Sequence, residues 1–551
     1  MRAEASKEET KKTKRVLVTD HISEEGIRKL KEFAEVDIEL ELSKEELKGC
    51  IAGYDALIVR SGTKVTKEII EAGSGGKLKV IGRAGVGVDN IDVVTATERG
   101  IMVVNAPEAN TISAAEHTIA MLLSLSRKIP TANMSLKSGK WERKKHMGVE
   151  VNDKVLGIIG LGRVGSEVAK RAKGLGMKVV AYDPFISAER ARELGIVLSS
   201  FTEVLSIADF ISLHTPLTKD THHLIGGKEF ELMKDGVRVI NCARGGIIDE
   251  GALEVALKSG KVAGAALDVF EHEPPGENEL LGMEEVIVTP HLGASTEEAQ
   301  KAAAMVIAEE VIEALKNKTA RNAVNMIYVE EELLGALKPY LVLAEKLGRL
   351  LAQLIPKSCR VEQFSVSYEG EIGASEAGLG KNTRLITVAM LKSFLSWFTD
   401  GVNYVNAEAI AKKFGIKVTE SRTEDIENFS SLISVATSLW AEGKGKERKT
   451  VAGTLFGKND PRIVKIDEYR VDASPSGYML ICSFLDKPRV IGPVCMILGD
   501  RGINIAGMQV GREKVGGEAV MVLNVDGSVS EETMEEIKGV ENIFDVKLVR
   551  L

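Results

Sequence analysis

Residues 154–183, KVLGIIGLGRVGSEVAKRAKGLGMKVVAYD, decide how the rest of the chain is read. Val155 to Ile159 is a buried-strand run, Gly160, Gly162 and Gly165 fill the G-x-G-x-x-G positions, the stretch from Ser166 has helical composition, and residues 177–182 return as a strand. Each glycine has its own task. The first permits the tight turn, the second lets backbone approach a pyrophosphate, and the third lets the helix pack closely on the strand, while the helix N-terminus offers N–H groups to the anion. Asp183 ends the second strand, where a carboxylate accepts the adenosine ribose hydroxyls and repels a 2′-phosphate, so NAD is expected rather than NADP. A bare glycine motif also suits a plain crossover between parallel strands; the flanking strand, helix and Asp183 are what point to a dinucleotide cradle.

With 551 residues and 44% hydrophobic content, the chain is long enough for several domains with more than one core. A net charge of −8 with both signs spread along the chain leaves no basic footprint for nucleic acid and no polybasic membrane patch. Cys50, Cys242, Cys359, Cys482 and Cys495 lack C-x-x-C spacing, so neither a zinc site nor a disulfide framework is expected. A reducing cytoplasm fits that pattern. No signal peptide or membrane-length apolar run is visible, and the charged opening MRAEASKEETKKTK is expected to be disordered.

Upstream of the cradle, short apolar runs alternate with amphipathic segments: RVLVTD, VDIELEL, YDALIVRSGT, LKVIGRAGVGVDNID and GIMVVNAPEANT. This is the pattern of a first α/β lobe with a parallel sheet. Arg60, Ser61 and Arg83 lie just past strand ends, where such sheets bind ligands; they suit an anionic substrate or are solvated loop charges. Residues 113–137 are expected to form one long helix over a sheet or a partner subunit, with His117 as a core or interface histidine. Downstream, DFISLHTP, VRVINCARGG, AGAALDVF and EVIVTPHLGAS continue the nucleotide unit as strands.

Thr215, Arg244, Asp268 and His291 fall at or just beyond the C-terminal ends of those strands, and Glu273 follows in the loop EHEPPG. Singly, each could be a strand-end polar group or a solvated charge. Together they are the parts needed to exchange a hydride with a hydroxy acid. Oxidising a secondary alcohol requires a base for the hydroxyl proton, and histidine's reference pKa of about 6.5 suits His291 to that role. A carboxylate at Glu273 would orient the ring and favour the imidazolium needed in reduction. Arg244 offers a planar fork for a carboxylate and the adjacent oxygen.

NCARGGIIDEGAL, ALDVFEHEPP and TPHLGAST, with GLGRVG, VRSGTKVT and GRAGVGVDNID, resemble the D-isomer-specific 2-hydroxyacid dehydrogenases over residues 15 to about 325. The resemblance places the catalytic arginine, glutamate and histidine at Arg244, Glu273 and His291. It places cofactor contacts at Gly160, Gly162, Arg163, Val164, Gly165, Asp183, Thr215, Cys242, Ala243, Asp268, His291, Leu292, Gly293 and Ala294. Arg60, Ser61 and Arg83, with Arg244, are the implied substrate-binding residues. The first lobe of this family is discontinuous, and the chain would return to it through a helix at residues 297–315, leaving the active site in the cleft between lobes.

After residue 325 the character changes. EELLGALKPYLVLAEKLGRLLAQL reads as an amphipathic helix, VEQFSVSYEG as a strand, and VNAEAIAKKFGI resembles the turn and helix of the family's intervening domain. Residues 477–551 read strand, helix, strand, strand, helix, strand, a ferredoxin-like unit, and DKPRVIGPVCMILGDRGINIAGM is similar to ACT regulatory domains. That likeness places Asp486 and Asn504 as effector contacts; the alternative is that both only shape turns in a dimerisation module. Arg489 stands where many relatives have glycine.

The expected architecture is therefore α/β: a Rossmann-type doubly wound NAD-binding domain at 106–297 and a discontinuous flavodoxin-like substrate domain at 15–105 and 298–329. An α+β intervening domain at 330–472 and a ferredoxin-like ACT domain at 473–551 follow, with residues 1–14 as a tail. The resemblance implies NAD-dependent oxidation of D-3-phosphoglycerate to 3-phosphohydroxypyruvate, the first step of L-serine synthesis, in a cytoplasmic homo-oligomer, dimer or tetramer. L-serine is the candidate effector, and no metal, nucleic acid or membrane partner is expected. Two other readings stay open: a dehydrogenase for glycerate or a larger D-2-hydroxy acid, and a regulator that senses NAD(H) without turnover.

Overall fold

The computed structural model describes residues 14–356, 359–374, 380, 382–426, 428–441 and 445–551; the expected tail, apart from Lys14, lies outside the described residues. The first lobe is a parallel sheet of five strands in the spatial order Glu35–Ile38, Arg15–Val18, Ala56–Val59, Val80–Arg83, Met102–Asn105. This is the flavodoxin-like 2-1-3-4-5 order. Apart from Arg15 and Arg83 at strand ends, its central strands are apolar because helices cover both faces, and Val16, Leu17, Ala56, Leu57, Val80 and Ile81 are fully buried. The helix Glu297–Leu315 returns from the second lobe to close one face. Gly82 lets it approach, since a Cβ there would lie 2.9 Å from Ile307 and Val311.

The second lobe is a parallel sheet of seven strands built around Val155–Ile159, which pairs with Lys178–Tyr182 on one side and Phe210–Leu213 on the other. Strand order reverses there, so a crevice opens at the C-terminal end of Val155–Ile159, where doubly wound sheets take their ligands. The long helix expected over 113–137 is two helices, Thr111–Arg127 and Ile129–Lys137. Lys128 between them adopts φ 52°, a left-handed C-cap, and Pro130 opens the second helix, removing an N–H that an unbroken helix would need.

Beyond residue 330, helices Glu331–Leu354 and Thr383–Leu395 cross at Gly348, where a Cβ would stand 2.2 Å from the Met390 carbonyl, and cover a six-stranded sheet. The last sheet has the order Ile505–Arg512, Glu518–Val525, Tyr478–Leu485, Ile543–Arg550, all antiparallel, with helices Ile491–Asp500 and Glu531–Lys538. That is the ferredoxin-like arrangement. Its other face is not left to solvent: Met479, Ile481, Val520, Val522 and Val549 join the apolar core formed with helix Glu331–Leu354. Among the described residues no helix is long and apolar enough to cross a membrane.

Candidate active site

The glycine turn has the stereochemistry its sequence predicts. Gly160 has φ 94°, and a Cβ on it would meet the His214 carbonyl at 2.8 Å; a Cβ on Gly165 would meet the Gly160 carbonyl at 2.1 Å. Gly162, by contrast, faces open space, and it caps helix Arg163–Gly174 with no side-chain hydrogen bond, leaving N–H groups of the first turn for an anion. Asp183 braces this turn, its Oδ2 accepting from the Leu161 N–H and its Oδ1 from the Phe185 N–H, both over 2.8 Å. Thr215 lies across the crevice with a buried Oγ1 that has no partner among the described residues. An uncapped helix end, open space at Gly162 and an orphaned hydroxyl fit a dinucleotide. Arg163 is exposed and pairs with Glu108 over 3.3 Å, while burial raises the Cys242 thiol to about 12, so it serves as neutral wall.

Asp268 is fully buried, yet its carboxyl sits below the usual carboxylate range. Burial alone would raise it; His117, the Thr289 hydroxyl and backbone N–H groups overcome that. Thr289 donates to Oδ1 over 2.6 Å, Leu292 N–H to Oδ1 over 2.7 Å, and Gly293 N–H to Oδ2 over 2.8 Å. His117 Nε2 lies 3.2 Å from Oδ1 and 3.1 Å from the Thr289 Oγ1. Since that hydroxyl spends its proton on Asp268, His117 is the donor to it. This histidine, read from sequence as core or interface, thus helps hold the loop that carries His291. The loop needs holding: His291 sits at φ 54°, a conformation that costs a non-glycine residue free energy.

His291 Nδ1 is 2.8 Å from Glu273 Oε2. Burial opposes the charge on Glu273, but the hydrogen bond and charge of His291, with the Phe270 N–H, leave its carboxyl below the usual range. Among the described residues no hydrogen bond involves the second imidazole nitrogen. A cavity of about 370 Å³ lined by Phe270, Pro274, Leu281, Val288 and Pro290 adjoins the pair.

The facing lobe supplies cations. Arg60 and Arg83 stand at the C-terminal ends of adjacent strands. Asp20 fixes the Arg60 loop, accepting the Arg60 N–H over 2.5 Å and the Thr63 N–H over 3.1 Å. Asn90 holds the same loop through the carbonyls of Arg60 and Thr63, each at 2.6 Å. Burial, then the charges of Arg244 and Arg60, pull the Arg83 guanidinium down to about 10, against Asp89 and Asp20. Its buried Nε has no partner among the described residues. Three guanidinium groups gathered with that little compensation call for an anion. Ser61 is exposed on the same loop.

Asp486 and Asn504 behave differently. Asp486 Oδ2 accepts from Arg512 over 2.9 Å and from the Gly516 N–H over 3.4 Å, and Asn504 donates to Asp526 over 2.7 Å. Each has its own partner and neither bonds the other. Arg489, at φ 72°, adopts the conformation that favours glycine. A cavity of about 820 Å³ lies apart from all these groups, between Lys79, Gly100, Glu310 and Arg321 of the first lobe and Leu334, Leu385 and Tyr404 beyond it.

Residues 119–293 match the family described as D-isomer specific 2-hydroxyacid dehydrogenase, NAD binding domain. Residues 336–467 match the D-3-phosphoglycerate dehydrogenase intervening domain, and 478–542 the ACT domain. A D-3-phosphoglycerate dehydrogenase of Methanocaldococcus jannaschii is 48% identical over 98% of this chain and 100% of its own length. The chain belongs to the D-3-phosphoglycerate dehydrogenase family. Another member, from Bacillus subtilis, is 44% identical over 98% of this chain and 99% of its own. A solved D-lactate dehydrogenase of Aquifex aeolicus, complexed with NAD and lactic acid, is 31% identical with a TM-score of 0.51, covering 56% of this chain and 98% of its own. Like its family, the chain is an NAD-dependent dehydrogenase with an ACT regulatory domain.

Sequence reasoning passed over Asp20, Asp89 and Asn90. All three stand in quoted stretches, RVLVTD and GVGVDNID, but what marks them is a partner on a distant segment. Asp89 and Arg244 are 155 positions apart.

Proposed function

We propose that the cleft oxidises D-3-phosphoglycerate to 3-phosphohydroxypyruvate, the first step of L-serine synthesis, with Arg244, Glu273 and His291 in the catalytic roles. The carrying observations are the His291–Glu273 pair at 2.8 Å in the nucleotide-binding lobe and the gathering of that lobe's Arg244 with Arg60 and Arg83 of the other lobe. The Gly160–Gly165 turn, Asp183 and Thr215 would hold NAD, which would supply the hydride acceptor. His291 takes the hydroxyl proton at Nε2 and returns it in the reverse direction. Glu273 keeps the ring oriented and offsets the imidazolium charge as it forms. Arg244 clamps the substrate carboxylate and the oxygen on the reacting carbon. Arg60, Ser61 and Arg83 bind the phosphate, and closure of the two lobes excludes water from the reacting carbon. Residues 15–105 with 298–329 would move against 106–297.

The test is NADH oxidation with 3-phosphohydroxypyruvate, repeated with the unphosphorylated keto acid. Turnover that needs the phosphate supports the reading; equal rates with both would make Arg60 and Arg83 solvated charges and the substrate a different D-2-hydroxy acid. NADH binding without any turnover would favour a sensor.

L-serine is the effector we assign to the ACT domain, through Asp486 and Asn504. A homo-oligomer is supported by exposed Met134, Leu136, Trp141 and Met147 on one stretch, the last two 76% and 75% accessible. Five free cysteines suit a reducing cytoplasm.

A further inference from the structure

Arg244 belongs to the nucleotide-binding lobe, but its side chain is seated by the other lobe. Its Nε–H donates to Asp89 Oδ2 over 3.0 Å. A Cβ on Gly87 would stand 2.1 Å from Nη2, so the guanidinium lies against bare backbone. Both residues are in the turn between strand Val80–Arg83 and helix Val93–Glu98. Nη1 donates to the Ala243 carbonyl over 2.7 Å. One edge of the fork is thereby fixed, and the remaining Nη hydrogens are left for a ligand.

The neighbours of Asp89 have structural work of their own. Asn90 ties down the Arg60 loop, and Asp92 caps the helix by accepting the Thr95 N–H over 2.9 Å. Among the described residues Asp89 has one side-chain hydrogen bond, to Arg244. Its side chain is 62% exposed, and an ion pair that open to water contributes little to stability. A carboxylate beside three guanidinium groups in an anion pocket must serve another end, because by itself it weakens anion binding.

We propose that Asp89 is a positioning residue: it aims Arg244 at the substrate carboxylate and lowers the positive charge of the pocket so that unreactive anions are not retained. The inference rests on Arg244 being the substrate clamp. Without Asp89 the Nε edge is free, the fork swings, and the pocket holds one more uncompensated positive charge. The two effects act on different constants. Misaimed Arg244 lowers kcat, whereas stronger attraction lowers KM and strengthens inhibition by simple anions.

The test compares Asp89→Asn, Asp89→Ala and Asp89→Glu with wild type in the full-length protein, using whichever keto acid wild type reduces. NADH affinity and Tm serve as controls for folding. Asp89→Asn and Asp89→Ala should lose about tenfold or more in kcat through misorientation, with KM unchanged or lowered and sulfate inhibiting at several-fold lower concentration. Asp89→Glu, which keeps the charge but moves it, should restore resistance to sulfate without restoring kcat. An unchanged kcat, or a KM that rises while sulfate inhibition stays as in wild type, overturns the proposal. Sulfate affinity, read also as a shift in Tm, does not depend on the substrate assignment. Failure of wild type to prefer the phosphorylated keto acid would therefore sink that assignment and leave this comparison standing.

Discussion

The cleft and the ACT domain both carry polar residues assigned to ligands, but only the cleft leaves them unmet. Thr215 Oγ1 and Arg83 Nε are buried without partners among the described residues, and three guanidinium groups crowd one another. In the ACT domain Asp486 has Arg512 and the Gly516 N–H, and Asn504 has Asp526. A buried polar atom without a partner costs about 1–3 kcal/mol, which a ligand can recover; a satisfied one must first be released. A ligand should therefore meet unpartnered groups in the cleft at Thr215 and Arg83, whereas one that binds Asp486 must compete with Arg512.

The sharpest challenge to that contrast is His291→Asn. If the pair with Glu273 is assembled for proton transfer, kcat should fall by about 10²–10⁴-fold while NADH affinity, read by fluorescence titration, holds. A loss confined to NADH binding would make the histidine a cofactor group. Next in size is Arg83→Ala. Removing one charged hydrogen bond should lower kcat/KM for 3-phosphohydroxypyruvate by about 10- to 100-fold and affect the unphosphorylated keto acid much less. Equal losses on both would place Arg83 at the carboxylate rather than the phosphate.

The ACT side of the comparison predicts a smaller effect. The Asp486–Arg512 pair is partly exposed, with Arg512 52% accessible, and such pairs contribute at most about 1 kcal/mol. Arg512→Ala should accordingly lower the L-serine concentration for half-inhibition by about two- to fivefold, and Asp486→Ala should remove inhibition. If Arg512→Ala raises that concentration instead, the arginine is itself a ligand for the effector carboxylate.

The same contrast governs what the sequence could disclose. The glycine cradle was readable because its task is local: Gly160, Gly162 and Gly165 act within one strand, turn and helix. Arg244, Glu273 and His291 each had a bland reading singly; taken together their chemistry suggested the roles and the family resemblance placed the catalytic residues on the same positions, because the cleft draws them from three loops. Asp89 was passed over and His117 was read only as a core or interface histidine, since the task of each is defined by a partner far along the chain, Arg244 and Asp268. The break at Lys128 was readable from Pro130 two positions on, but the apolar periodicity on both sides masked it. Partners met or unmet are a property of the folded chain.

His214 and Thr215 bring the comparison down to two adjacent residues, and give the smallest predicted effect. Thr215 Oγ1 has no partner among the described residues, so Thr215→Val should leave stability near wild type while weakening NADH binding by a few fold, the cost of one neutral hydrogen bond of about 1 kcal/mol. His214 is internally satisfied, with Nε2 2.9 Å from Ser212 Oγ, and burial pushes its imidazole down to about 4. The folded chain thus resists protonation that the unfolded chain accepts at about 6.5. Between those values the unfolded state binds more protons, so stability is full above about pH 6.5 and is lost as pH falls toward 4. The full shift would correspond to about 3 kcal/mol, and because the residue keeps some exposed surface the loss should be smaller. His214→Gln, which retains a hydrogen-bonding group without the titration, should flatten the fall of urea-unfolding stability between pH 6.5 and 4 while NADH affinity at pH 7.5 stays unchanged. A wild-type profile already flat over that range would mean that His214 is solvated like the ACT residues' outer atoms. It would then belong with the groups that a ligand can reach.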